Sequence, residues 1–256
     1  MTTIRDLCLR AALIADPDEK SSATVGIFAD EAGSDQRFDD VPRGLRRTPV
    51  LVPASKLAQR PVHTAEGRAA LVHALAHIEL NAVDLALDIV WRFAGMPGDF
   101  YRQWVKVAQE EAYHFTLLRD HLRGMGYEYG DFPAHNALWE MAEKTKGDVL
   151  ARVALVPRTL ETRGLDASPP IKAKLVKAGD LRAGEILDII LRDEIGHVAL
   201  GNNWYRWLCA NRGLEPVATY AELAAQYGAP KPRGPFNLNA RREAGFTEEE
   251  LRALES

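Results

Sequence analysis

Two five-residue stretches share a pattern that can do metal chemistry: Glu110-Glu111-Ala-Tyr-His114 and Asp193-Glu194-Ile-Gly-His197. Each has an acid, then a Glu, then a His three residues after that Glu. On an α-helix, positions three apart lie on one face, so a carboxylate and an imidazole at this spacing can grip one ion. A single match means little, since 19 Glu and 7 His supply roughly half a match by accident. Two further carboxylates lift the pair above coincidence. Glu79 precedes Glu111 by 32 residues and Glu161 precedes Glu194 by 33. Helix–Glu followed by helix–Glu-x-x-His therefore occurs twice at nearly one interval, as two antiparallel helix pairs related by a pseudo-twofold require.

The resulting ligand set is Glu79, Glu111, His114, Glu161, Glu194 and His197. Its four carboxylate charges balance two divalent ions; without metal they would repel one another or take up protons. Imidazole with carboxylate suits iron or manganese better than calcium and leaves copper and zinc open. The acids before the motifs, Glu110 and Asp193, turn roughly 100° away from their neighbours, toward an adjacent helix. Because a metal-bound His usually donates its second N–H to a carboxylate, Asp193 is expected to hold His114 and Glu110 to hold His197. Solvated helix charge is the alternative for both. Arg158 shares a face with Glu161, where it can meet a substrate or neutralise Glu161 in a purely structural salt bridge.

These residues need long helices beneath them, and the apolar periodicity supplies four. The first runs from about Glu66 to Phe93 with Thr64 as N-cap, and Leu75, Ala82, Val83 and Ala86 share the face of Glu79. The second, about Phe100 to Arg123, places Trp104, Val107, Ala108, Phe115 and Leu118 around Glu111 and His114. The third begins after Asp148, is kinked at Pro157 and closes at Arg163-Gly164, before a connection that starts at Ser168-Pro-Pro170. The fourth, about Leu181 to Asn211, sets Leu187, Ile190, Leu191, Val198 and Gly201 around Glu194 and His197. Shorter helices are expected at 4–15, 135–146 and 216–227, and a capping box opens a last turn at Thr247. His73 and His77 have a zinc-compatible spacing but read as surface or buried-polar groups, and His121 as a satisfied core histidine.

Between Pro17 and Pro61 the periodicity fades, which predicts an extended arm across the bundle with Val50, Leu51, Val52 and Leu57 buried and Arg43, Arg46 and Arg47 as a small basic cluster. No stretch reads as a strand, so the fold class is all-α. The expected domains are an N-terminal helix and arm (1–63), a four-helix bundle (64–212) and a C-terminal extension, part helical and part irregular (213–256).

Composition limits the rest. The 256 residues carry a net charge of −4, which gives no general pull toward nucleic acid or anionic membrane. No signal peptide is evident, and no run approaches the roughly 18 apolar residues of a membrane span. Two cysteines exclude a disulfide framework, a zinc ribbon or a four-cysteine iron–sulfur cluster, and a cytoplasmic location follows naturally.

The six ligand positions resemble the ferritin-like di-iron carboxylate superfamily. The wider pattern is similar to domain-of-unknown-function family 455 within it, through His77-Ile-Glu-Leu, Glu110-Glu-Ala-Tyr-His, Pro157-Arg-Thr-Leu-Glu-Thr-Arg-Gly-Leu-Asp, Asp193-Glu-Ile-Gly-His, and Pro235-Phe-Asn with Ala244-Gly-Phe. The resemblance implies a ferritin-like four-helix bundle holding two metal ions, most naturally iron, with manganese second. It implies an oxidoreductase that activates dioxygen on an unidentified substrate, with Glu111 and Glu194 as bridging, catalytic carboxylates and Glu79 and Glu161 as terminal ones. An external electron donor would be needed. Relatives that hydroxylate tRNA make tRNA a minor option, against which the net charge argues. An iron-handling ferroxidase and a metal-free binding module remain as alternatives.

Overall fold

A computed structural model describes residues 2–39 and 48–254. Among these the chain is all-α, and its nearest approach to a sheet is one isolated parallel bridge between Leu51 and Ala134. The helices are α1 (Ile4–Leu13), α2 (Pro17–Val25), α3 (Ala65–Arg92), α4 (Gly98–Gly124), α5 (Ala137–Lys144), α6 (Val149–Leu155), α7 (Thr162–Lys177), α8 (Leu181–Arg212), α9 (Pro216–Tyr227), α10 (Leu238–Glu243) and α11 (Glu248–Leu254). A π-helical turn, Val156–Glu161, joins α6 to α7. The chain divides into two compact units, Met1–Ala137 with Leu175–Ile186, and Leu138–Lys174 with Leu187–Ser256.

The first unit is built on the α3–α4 hairpin. Thr64 caps α3 by accepting the Gly67 N–H at 3.0 Å, and Gly95 turns the chain at a φ of +81°, which a side chain would resist. Glu79 lies sixteen residues before Gly95 and Glu111 sixteen after it, so an antiparallel hairpin sets the two carboxylates level. The facing surfaces bury Val72, Leu80, Val83 and Leu87 of α3 with Phe100, Ala108, Ala112 and Phe115 of α4. By length and mean hydropathy α3 could cross a membrane, but most of its apolar window is buried inside the protein.

Where an arm was expected, residues 17–25 form α2. Asp16 caps it, accepting from the Asp18 and Glu19 amides at 2.9 Å, and Pro17 occupies the first turn, where its missing N–H costs nothing. The polar look of this segment hid an inward cation: Lys20 is fully buried and paired with Asp84 of α3. From α1, Arg5 is equally buried and donates to the Val90 carbonyl at 3.0 Å and the Trp91 carbonyl at 2.5 Å, capping the C-terminus of α3. Val50 and Leu51, expected inside, are more than half exposed, because here the main chain makes the contact: the Val52 amide donates to the Ala134 carbonyl at 2.8 Å. Arg43, Arg46 and Arg47 lie outside the described residues.

In the second unit, the expected kink at Pro157 is the π-turn. Proline has no N–H to give and its ring crowds the carbonyl four residues back, so the helix widens by one residue. The Thr159 hydroxyl replaces part of the lost bonding by donating to the Ala154 carbonyl at 2.7 Å. The helix then continues through Pro169 and Pro170 rather than ending at Gly164. The Leu165 carbonyl, which Pro169 cannot serve, accepts from Asn237 Nδ2 at 3.2 Å. A core of Leu165, Val198, Ala240 and Ala244 brings α7, α8 and α10 together.

Candidate metal centre

Each unit carries one copy of the repeat. In the first, α3 supplies Glu79 and α4 supplies Glu111 and His114, all buried, each with a ligand atom within 4.8 Å of the others'. His114 Nδ1 lies 3.3 Å from Glu111 Oε2 and 3.4 Å from Glu79 Oε2. The longer approach is no hydrogen bond, and Glu79 Oε2 has no hydrogen-bond partner although it is sealed from solvent. A bare carboxylate oxygen in an apolar stripe is costly unless a cation meets it.

The electrostatics express that cost. Burial pushes the Glu79 carboxyl upward, and the Glu111 charge adds to the rise while His114 opposes it. For His114, burial works against the imidazolium, but Glu111 and Glu79 outweigh it and hold the ring above its ordinary range. Without metal, a proton therefore stands where positive charge is wanted. A divalent ion would take that place.

In the second unit, Glu194 and His197 are buried on one face of α8, with His197 Nδ1 3.7 Å from Glu194 Oε1. Glu194 Oε2 is, like Glu79 Oε2, buried with no hydrogen-bond partner. In both motifs it is Nδ1 that faces the carboxylate, so the repeat extends from spacing to ring orientation. Glu161, half-buried, is the last residue of the π-turn.

Arg158 has a different partner from the one expected. It is buried and pairs with Glu250 of α11, donates to Asn202 Oδ1 at 2.5 Å, and lies 4.8–5.1 Å from the ring centroids of Tyr205, Tyr220 and Phe246. The π-turn explains the difference, since register read from an ideal helix does not survive an inserted residue. Glu110 pairs with Lys106 at 3.5 Å and Asp193 with Arg192 at 2.8 Å.

The other histidines weighed from the sequence are engaged within the first unit. Tyr129 Oη lies 2.7 Å from His77 Nδ1, and the His135 carbonyl lies 3.1 Å from His77 Nε2, which leaves neither nitrogen for zinc. His73 Nε2 accepts the Gly130 N–H at 2.9 Å, and His121 Nε2 meets Asp180 Oδ1 at 2.9 Å. Tyr113 is nearly half exposed. Two features escaped the sequence reading. The buried indole N–H of Trp104, two turns before Glu111, has no hydrogen-bond partner. Glu250 was legible only as a cap residue three after Thr247, with no sign that its carboxylate also reaches Arg158.

A family model described as "Protein of unknown function (DUF455)" matches residues 13–252. A protein of Haemophilus influenzae, described as "Uncharacterized protein", is 48% identical over 210 residues, which cover 79% of this chain and 73% of that one. No solved structure matches. Two independent likenesses thus extend over most of the sequence, both repeats included, and the chain belongs to the DUF455 family.

Proposed function

We propose that this chain is a ferritin-like di-metal carboxylate protein that oxidises an organic substrate with dioxygen. The observation that carries the reading is the buried Glu79–Glu111–His114 cluster, with a carboxylate oxygen that no hydrogen bond serves. The donor set fits the group. Carboxylate oxygens and imidazole Nδ1 atoms suit ferrous or manganous ions, and the bare oxygens of Glu79 and Glu194 want a cation rather than a neutral donor. Glu79, Glu111 and His114 of the first unit and Glu161, Glu194 and His197 of the second would supply the ligands, with Glu111 and Glu194 as the catalytic carboxylates.

When bound, such ions supply open coordination positions and one-electron redox steps to dioxygen. The chain's own residues do the rest. Apolar neighbours such as Val83, Ala108, Phe115 and Val198, all buried, keep water from the carboxylates. Asp193 and Glu110, the acids beside the ligands, would accept the second N–H of the histidines and fix their tautomer. Electrons would come from an external donor. Both cysteines are free and buried, in keeping with the cytoplasmic setting we propose.

A metal-free binding module is the alternative; in it the carboxylates would be met by other cations, and Arg158, paired with Glu250, is committed elsewhere. The oxygen chemistry is tested by loading the protein with two equivalents of ferrous iron under argon and following oxygen uptake after mixing with aerated buffer. Uptake well above that of free iron is expected. Two bound irons without accelerated uptake would overturn the dioxygen reading.

A further inference from the structure

Arg158 sits inside the π-turn, three residues before Glu161, and its surroundings come from farther along the chain. Asn202, which accepts from its guanidinium, donates in turn to the Ala244 carbonyl at 2.7 Å. Tyr205, Tyr220 and Phe246 present their rings to the cation. Glu250 closes the arrangement with its charge. Glu250 is itself fixed: its Oε2 accepts the Thr247 N–H at 2.8 Å, and its own N–H donates to Thr247 Oγ1 at 3.2 Å. Although burial opposes ionisation of Glu250, Arg158 and the Thr247 amide overcome it and hold the carboxyl below its ordinary range. Arg206 adds a second cation 3.6 Å away.

A π-turn is a strained insertion that persists only when its surroundings hold it. Pro157 gives this one no N–H, and side chains add to its bonding: Thr159 Oγ1 donates to the Ala154 carbonyl and Thr162 Oγ1 to the Arg158 carbonyl. A buried ion pair in an aromatic cage is a costly way to fasten a surface helix; its usual return is a defined geometry at one place. Here that place is the turn ending in Glu161. We infer that Glu250 is a positioning residue for Glu161: acting through Arg158, it fixes the π-turn and so aims the Glu161 carboxylate at its metal. The inference rests on the di-metal reading above.

The test compares the full-length wild type with Glu250→Gln, which keeps the size and the capping geometry but removes the charge, and with Thr247→Ala, which removes the cap and leaves the ion pair. Anaerobic titration with manganous ion gives stoichiometry and affinity, and hydrogen exchange without metal reports on the amides of 158–162. In E250Q, one of two ions should bind at least tenfold more weakly, with exchange faster at the π-turn and helix content unchanged. T247A should bind both ions as the wild type does. Two ions bound by E250Q at wild-type affinity would overturn the inference and leave the di-metal reading standing. Loss of both ions together with helix content would reduce Glu250 to a fold-stabilising residue and overturn it too. A wild type that binds no ion would instead sink the di-metal reading, while local exchange in E250Q would still show whether Glu250 holds the turn.

Discussion

A histidine four residues from another can be a zinc ligand or a piece of the core, and α3 shows how the choice is made. His77 has an oxygen at each ring nitrogen, and His73 uses Nε2 to accept a backbone N–H while its ring stacks on Tyr129 with centroids 5.1 Å apart. An imidazole that accepts at Nε2 must be neutral, and protonating it would set two donors against each other. Burial accordingly lowers the His73 pKa from 6.5 to about 4, with Asp131 opposing weakly. The unfolded chain takes up the proton first. The stability contributed by neutral His73 is therefore complete above about pH 6.5 and drains away as the pH falls toward about 4. His73→Gln, whose amide oxygen can still accept from Gly130, should flatten urea stability between pH 6.5 and 4. An unchanged acid slope would show that another group carries it.

Among the elements, the long helices were legible because their apolar faces repeat over many turns. Thr64 caps α3 as expected, and the ends expected at Phe93 and Arg123 fall within one residue of those of α3 and α4. The short or irregular pieces were not. Helix α2 looked like a polar arm because Lys20 and Ser21 are buried polar residues whose partners lie far along the chain or within the helix's own turns. Pro169 and Pro170 looked like a stop because the donor that serves the stranded Leu165 carbonyl, Asn237, lies more than seventy residues away. The π-turn was legible as a kink but not as an insertion, and that difference moved Arg158 from Glu161 to Glu250. Gly201 belongs to this group. A Cβ there would stand 2.9 Å from Pro157 Cβ and 3.2 Å from its Cγ, on a ring that cannot swing away. Gly201→Ala should cost about 1–3 kcal/mol in urea unfolding as the turn is pushed off α8. An unshifted midpoint would mean the contact yields freely.

For the whole molecule, the repeat read from spacing coincides with a division of the chain into two units, each carrying one Glu and one Glu-x-x-His. The carboxylates of the first unit were legible because a hairpin with its bend at Gly95 levels Glu79 with Glu111, and the structure gathers them with His114. Glu194 and His197 were legible from the same three-residue spacing and share a buried face of α8. What spacing could not carry is the protonation and bonding state inside each half, because the bare oxygens of Glu79 and Glu194 depend on burial by residues scattered through the sequence. If both repeats supply ligands to a two-ion site, damage to either must cost at least one ion. Elemental analysis of protein reconstituted anaerobically with ferrous iron, for the wild type, Glu111→Ala and His197→Ala, puts that to the test. The account predicts two irons per wild-type chain and one or fewer in each variant, with helix content retained. A wild type that binds none, or variants that keep both irons, would contradict it.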